Sequence, residues 1–342
     1  MKKFLKYILL FCIPILLHFA AYVIIDPFKV IRDYDVEMYE DTASVFKTSD
    51  VMISTMRFIK QREKYHYDSF IFENSRSLNF KVEDWEKHIS EPSSCFHFWT
   101  SNGYIKSWHD KVLFIDEIGD TIKNALCVVD HDMLSVLERN DKVSAEPPIL
   151  CHNKNWVDFH IANYKAFCNF MYMEAVVDYK IFGQYRPYMK KYIQPTPRPH
   201  SSDLRTNEPY TNENEAKITA GTYYDEAHLK SFENVQKPGT FSEHILTDKE
   251  RLLIREIREV FDRHHTNYEI ILGPQYDQIK LNDDTMNFLY ETFGREHVHD
   301  FTGVNKWTSD YHNYYESSHY RPCVAKEIMD IVYNKNKIEN DK

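Results

Sequence analysis

The sequence predicts an α/β protein in which a mostly parallel sheet lies between two layers of helices. Three short apolar runs are typical of strands: Phe70-Ile71-Phe72, Cys95–Trp99 and Ala125–Val129. Stretches with helical periodicity separate these runs. The alternation gives a βαβαβ order, which predicts parallel strands joined by right-handed crossovers. With 342 residues, the chain is long enough to enclose a sizeable core.

The helices of this frame follow from the spacing of apolar residues. Leu78, Val82 and Trp85 share one face, which predicts a helix over Ser77–Ile89. A second helix is predicted over Tyr104–Ile118. The pattern resumes late in the chain with two more helices and two more strands: helices Asp248–His264 and Thr285–Phe293, strands Tyr268–Leu272 and His297–Phe301.

The segment at about 134–245 interrupts this order. It holds an aromatic stretch, Phe159–Tyr188, followed by a stretch rich in Pro, Ser, Thr and Asn, Gln194–Asn214. Together these stretches indicate a large insertion with exposed loops. For the chain as a whole we predict three regions: a membrane anchor over 1–27, a juxtamembrane region over 28–65, and an α/β domain over 66–335 that contains the insertion.

The N-terminus predicts a transmembrane helix. Lys2, Lys3 and Lys6 precede an apolar run from Tyr7 to Ile25. At about 1.5 Å per residue the run spans roughly 28 Å, close to one hydrocarbon core. A cleaved signal peptide is the alternative. The lysines favour an N-terminus inside the cell, so the folded domain is expected outside the cytoplasm, in the periplasm or at the cell surface.

Composition excludes several classes of function. The net charge is −10, which argues against a nucleic-acid partner because phosphate binding needs a basic face. Only 8 glycines are present and none forms a phosphate-binding loop. The 6 cysteines show no CxxC spacing, so neither a zinc knuckle nor a dense disulfide framework is indicated.

Two short segments carry residues that suggest acyl chemistry. The first is Asn74-Ser75-Arg76, where a predicted strand ends and a helix begins. Open α/β sheets bind ligands at this carboxyl edge. The second is Asp310–Pro322, in which Glu316 precedes His319 by three residues. A histidine that takes the serine proton needs an acid to orient it, so we expect Ser75 and His319 to meet at that edge.

These motifs resemble those of the SGNH (GDSL-like) hydrolases, and in particular their membrane-anchored relatives associated with membrane-bound O-acyltransferases. Asn74-Ser75-Arg76 is similar to the nucleophile motif, and Tyr314–Pro322 to the late motif with acid and base. Ser101-Asn102-Gly103 corresponds to the block that supplies a glycine N–H. The resemblance covers roughly 69–133 and 251–332, and it implies a flavodoxin-like three-layer sandwich of the SGNH type.

The resemblance also implies roles for individual residues. Ser75 is the nucleophile, His319 the base, and Glu316 or else Asp310 the orienting acid. The remaining roles fall to backbone and neighbouring groups: Ser75, Gly103 and Asn102 as oxyanion donors, Asn74 and Arg76 as substrate contacts. No metal or organic cofactor is implied. The expected substrate is an acyl ester of a cell-envelope polysaccharide, hydrolysed or transferred, with a membrane-bound O-acyltransferase as partner.

Two departures from the family pattern leave alternatives open. Glu316 stands where the family usually has Asp, and no clear Gly-x-Asn-Asp block supplies a third oxyanion donor; Asn102, Gly273 and Asn74 are candidates. A non-catalytic envelope protein that binds glycan or an acyltransferase is therefore the second hypothesis. Ser75 is then only a helix cap. A metal site built from His312, Glu316 and His319 at helical spacing is the third.

Overall fold

The computed structural model describes residues 2–138, 146–151, 155–233 and 239–340. The chain forms two compact units. Unit 1 comprises Met1–Met56 and Asn140–His200, and unit 2 comprises Arg57–Arg139 and Ser201–Lys342. The boundaries expected from the sequence, at 28, 66 and about 134–245, lie at different positions and remain predictions.

A parallel sheet forms the centre of unit 2. In the described part of the chain it has five strands: β1 Ser69–Glu73, β2 Cys95–Trp99, β3 Asn124–Val129, β4 Asn267–Leu272 and β5 Val298–Asp300. Their order is β2-β1-β3-β4-β5, and all neighbours run parallel. This confirms the predicted α/β class with a parallel sheet. A separate antiparallel hairpin pairs β6 Tyr314–Glu316 with β7 His319–Tyr320.

The helices connect and cover these strands. Over the described ranges the α-helices are α1 Lys2–Ile25, α2 Val36–Tyr39, α3 Asp50–Tyr65, α4 Val82–Trp85, α5 Ile105–Glu117, α6 His131–Leu134, α7 Trp156–Phe167, α8 Phe170–Phe182, α9 Asn212–Thr219, α10 Glu226–Leu229, α11 Asp248–His264, α12 Asp283–Phe293 and α13 Pro322–Asn340. Short 3-10 helices lie at Ser75–Asn79, Pro187–Lys191, Lys230–Phe232 and Tyr311–Asn313. The predicted helices that became α5, α11 and α12 are confirmed.

Both faces of the sheet are buried, which gives three layers. On one face, side chains of β1, β3 and β4 form a core with α4 and α13, in which Trp85 and Met329 are fully buried. On the other face α5 and α11 pack together. Phe58 of α3 also lies there, with its ring 5.7 Å from Phe70 and 5.1 Å from Phe98. Strands covered on both faces explain the nearly continuous apolar runs in the sequence.

The helix predicted over Ser77–Ile89 is wrong in its course. The chain instead forms the 3-10 helix Ser75–Asn79, then extended backbone, then the single turn α4. The break falls at Phe80, whose side chain is fully buried with its ring edge-on to Tyr320 at 6.0 Å. Burying Phe80 against a residue from the far end of the chain outweighs the local preference for one continuous helix.

The apolar run at the N-terminus forms α1. Within the described residues, no helix has both the length and the apolar character needed to cross a membrane. The predicted transmembrane helix is therefore not found there. The side chains of residues 2–6 and 8–10 lie outside the described part.

Candidate active site

Ser75 lies at the carboxyl edge of the sheet because β1 ends two residues before it. Asn74 has extended backbone, and its side-chain oxygen accepts the N–H of Arg76 at 2.9 Å. This cap starts the 3-10 helix at Ser75. In the observed strand order the direction of winding reverses between β1 and β3, and ligands of open sheets bind at such a switch point.

His319 and Glu316 are brought together by the β6–β7 hairpin. The register places Glu316 opposite His319, with Ser317 and Ser318 in the turn. Nε2 of His319 lies 2.8 Å from Oγ of Ser75, and Nδ1 is hydrogen-bonded to Oε1 of Glu316. The serine-to-histidine distance falls within the range expected for a nucleophile and its base.

The carboxylate of Glu316 is held in its ionised form. Its second oxygen accepts the backbone N–H of Ser318 at 2.9 Å. Partial burial by itself raises the pKa of Glu316, but the hydrogen bond and charge of His319 and the bonds from Ser318 outweigh it, so the pKa lies below the usual value. An ionised Glu316 accepts a hydrogen bond from Nδ1–H, which holds the proton on Nδ1 and leaves the lone pair of Nε2 facing Ser75.

Asp310 belongs to a different pair. Its carboxylate accepts the backbone N–H of His312 at 3.0 Å and lies 2.8 Å from Nδ1 of the same residue. The structure does not bring His312, Glu316 and His319 together as a metal site. In the described ranges, no group of three or more His, Cys, Asp or Glu residues is placed to hold a metal ion. The geometry favours Glu316 as the orienting acid, although the roles themselves remain predictions.

The loop after β2 lies directly against the nucleophile turn. A Cβ added to Gly103 would come within 3.1 Å of Cβ and 3.2 Å of Cα of Asn74, and it would overlap the carboxylate of Glu73. Only glycine allows this approach. Asn102, just before it, has a left-handed φ of 55°. Oxyanion donation by Ser75, Gly103 and Asn102 remains a prediction.

Gly273 lies against Tyr320 of the β6–β7 hairpin. A Cβ added there would lie 2.8 Å from the hydroxyl of Tyr320 and 3.1 Å from its ring. The residue therefore gives room to the tyrosine that follows His319. This contact supports the hairpin.

Arg76 links the nucleophile turn to the hairpin. Its guanidinium forms ion pairs with Asp130 at 2.8 Å and Asp132 at 2.5 Å. Its Nε donates to the carbonyl of Ser318 at 3.2 Å. The residue after the nucleophile is thereby tied to the residue before the base. Asn74 also makes internal bonds through both its amide oxygen and its amide nitrogen. Substrate contacts by Asn74 and Arg76 remain predictions.

Asp130 is a part of the site that the sequence did not reveal. Asp130 accepts the N–H of Met133 at 3.0 Å, as a helix cap does. It also accepts hydrogen bonds from Asn74 and Arg76. Burial alone would raise the pKa of Asp130. The Arg76 charge and these hydrogen bonds lower it by more, so the pKa lies below its usual value. The sequence does hold a signal for this role of Asp130. The residue directly follows β3, and β3 pairs with β1, which ends at the nucleophile turn.

A second serine–histidine contact lies beneath the site. Oγ of Ser77 is 2.9 Å from Nε2 of His97, and both residues are fully buried. Burial and the positive charges of Lys81 and Lys111 lower the pKa of His97 well below its usual value. This imidazole is therefore neutral. Because no substrate reaches a fully buried hydroxyl, the pair supports the nucleophile turn from below.

We expect Asp130→Ala to lower the free energy of unfolding by about 3–5 kcal/mol, because it leaves the Arg76 charge without its buried partner. Chemical denaturation measures this loss. The matched control is Asp132→Ala, whose side chain is 56% exposed and whose ion pair should contribute about 0–1 kcal/mol. Equal losses in the two variants would contradict the expectation.

The same pair gives an expected pH dependence. The pKa of Asp130 is lowered by folding, so its contribution is complete above its unfolded pKa and is lost as the pH falls. The stability difference between the wild type and Asp130→Ala should therefore shrink below about pH 4. Denaturation series at several acidic pH values test this, and a difference that grows on acidification would contradict it.

The fold and the site define an α/β protein with a Ser75–His319–Glu316 constellation at the carboxyl edge of its sheet. Comparison with protein-family models, with curated proteins and with solved structures finds no match for this chain. The function therefore has to be argued from the site itself.

Proposed function

We propose that this protein is an SGNH-like serine esterase or O-acyltransferase that acts on acyl esters. The observation that carries the proposal is the contact of Ser75 Oγ with His319 Nε2 at 2.8 Å, with Glu316 on the other ring nitrogen. Nucleophile, base and orienting acid in this order form the arrangement that activates a serine. The strand order and the place of Ser75 at the switch point support the flavodoxin-like, SGNH-type assignment of the fold.

The reaction follows from these positions. Oγ of Ser75 attacks the acyl carbonyl carbon while Nε2 of His319 takes the hydroxyl proton. Backbone N–H groups of Ser75 and Gly103 stabilise the oxyanion of the tetrahedral intermediate. His319 then gives its proton to the departing alcohol, which leaves an acyl-Ser75 ester. Water or a second hydroxyl attacks this ester while His319 takes its proton. The bond between the acyl carbon and Oγ then breaks, His319 returns the proton to Oγ, and the acyl group leaves as the free acid or as the ester of the acceptor.

The expected setting is the cell envelope. The substrate is an acyl ester of an envelope polysaccharide, and the partner is a membrane-bound O-acyltransferase. Two features support a membrane association: the lysines at positions 2, 3 and 6, and the apolar side chains that α1 exposes, among them Phe11 and Leu17. Exposed apolar surface of this extent favours a lipid environment over water.

We expect the unit with the triad to lie outside the cytoplasm. Alkaline phosphatase fused to the C-terminus should be active, and a cytoplasmic fluorescent reporter at the same position should stay dark, because the N-terminal lysines are retained inside. The matched control is the same fusion without residues 1–27, which should be inactive. A reversed pattern would refute the orientation and with it the envelope substrate.

The test of the esterase is covalent labelling. A fluorophosphonate probe reacts with an activated serine, so it should label the full-length protein. Peptide mass spectrometry should place the label on Ser75, and a short acyl ester should compete with the probe. If the folded protein takes no label, the second hypothesis gains: a non-catalytic protein that binds glycan or an acyltransferase. The absence of a Gly-x-Asn-Asp block in the sequence favours that alternative.

A further inference from the structure

Unit 1 carries most of the exposed apolar surface. Twenty of the twenty-six large apolar side chains exposed in the described residues belong to this unit, although it is the smaller of the two. They lie mainly on α1, α7 and α8. Scattered exposed apolar residues are ordinary, but a concentration of this kind marks a surface that another apolar phase covers.

The helices α7 and α8 continue the apolar surface of α1. Tyr164 and Phe167 of α7 pack against α1, with ring centroids 5.3 Å from Phe19 and 5.5 Å from Tyr22 respectively. Phe167 in turn contacts Tyr172 of α8. The three helices therefore form one packed group. The side chains that α7 and α8 expose thus lie beside the C-terminal end of α1.

The outer faces of α7 and α8 expose aromatic and aliphatic side chains with charged residues among them, Asp158 and Glu174 included. Trp156 at the start of α7 is 51% exposed, and Phe170 and Ile181 on α8 are 77% and 68% exposed. Exposed lysines follow on the same helices, at Lys165 and Lys180. Aromatic rings with lysines beside them are enriched where bilayer meets water.

Helix length and charge limit how deep this surface can go. The two helices have 12 and 13 residues, so at about 1.5 Å per residue neither approaches the roughly 30 Å of a hydrocarbon core. Glu174 is exposed one turn after Phe170 and would be costly inside the core. Both facts place the helices along the boundary rather than across it.

From these observations we infer that α7 and α8 form a membrane-contacting hairpin, whose outer face lies in the lipid interface beside α1. The occupant of this face is the lipid bilayer. The hairpin goes beyond the proposed catalytic function, and it rests on that proposal only for the membrane association of the chain. It gives unit 1 a second membrane contact besides α1, with apolar side chains inserted about 5–10 Å into the lipid interface.

Tryptophan quenching in vesicles tests the hairpin. The full-length chain is reconstituted into phosphatidylcholine–phosphatidylglycerol vesicles with brominated acyl chains. The signal of Trp156 is the difference between the wild type and Trp156→Phe. In the Trp156→Phe background, Phe170→Trp reports on α8. Leu252→Trp is the matched control, because Leu252 is similarly exposed, at 52%, but lies on α11 in unit 2.

Brominated lipid should quench tryptophan at positions 156 and 170 but not at 252, while iodide in the water should quench in the opposite order. Quenching of 156 and 170 by iodide alone would overturn the inference. So would protection from both quenchers together with cross-linked dimers, which would assign the face to a second copy. Equal lipid quenching at position 252 would also overturn the inference, because membrane contact would then not be specific to the hairpin. A chain that does not enter vesicles refutes the membrane association and leaves the esterase untouched.

Discussion

Replacing Ser75 with alanine is expected to reduce ester turnover by up to about a million-fold, since removal of a triad nucleophile leaves only binding and oxyanion stabilisation. Nothing else in the observed contact can take the acyl group, because His319 Nε2 faces the serine oxygen itself. The measurement is p-nitrophenyl acetate hydrolysis by the full-length protein, with kcat and KM separated. The loss should appear in kcat.

Ser77→Ala is the matched control for this experiment. Ser77 lies two residues further along, is fully buried and bonds to His97. Its loss should cost about 1–3 kcal/mol of stability because the histidine loses a partner. Because Ser77 only supports the nucleophile turn, kcat should fall far less than in Ser75→Ala. If Ser75→Ala retains turnover while Ser77→Ala abolishes it, the serine is misassigned. If both retain turnover, the esterase activity measured is not that of this site.

Replacing Glu316 with glutamine is expected to lower kcat by up to about four orders of magnitude with the fold intact. The carboxylate accepts a hydrogen bond from Nδ1–H of His319. A glutamine amide can instead donate to Nδ1, which would put the proton on Nε2 and leave no base facing Ser75. The charge that stabilises the imidazolium is lost at the same time.

Asp310→Asn is the comparison that separates the two candidate acids. Asp310 bonds to His312 and not to His319 in the structure, so this change should leave turnover nearly unaltered. Circular dichroism and the denaturation midpoint must match the wild type in both variants. A silent Glu316→Gln beside an inactive Asp310→Asn would reverse the assignment. Activity in both variants and in Ser75→Ala would favour the non-catalytic hypothesis.

The strands could be predicted because each carries its own signal. Buried on both faces, β1, β2 and β3 are nearly continuous apolar runs, so their positions follow from composition alone. The stretch after Ser75 could not be predicted in the same way. Its apolar spacing fits one helix, but the chain breaks at Phe80 because that ring packs with Tyr320, which is 240 residues away in sequence. A contact between residues so far apart in sequence cannot be seen in the local spacing of apolar residues.

The motifs of the site could be predicted from the sequence, but the elements and ion pairs that position them could not. Ser75, His319 and Glu316 were recognisable by residue type, order and resemblance. The β6–β7 hairpin that sets Glu316 opposite His319 was not, because strands of two or three residues are too short to show a period. Arg76 was expected to contact the substrate. Its ion pairs with Asp130 and Asp132 depend on the adjacency of β1 and β3 in the sheet.

The hairpin has a consequence for how the protein is made. Ser75 leaves the ribosome 244 residues before His319, and the carbonyl that Arg76 binds is synthesised just before that histidine. The early strands can pair while the serine is still an ordinary hydroxyl with no base near it. In the proposed mechanism Ser75 becomes reactive only when the β6–β7 hairpin docks, so an unfinished chain would carry no reactive serine during its synthesis. The proposed esterase activity would thus report that the whole of unit 2 has folded.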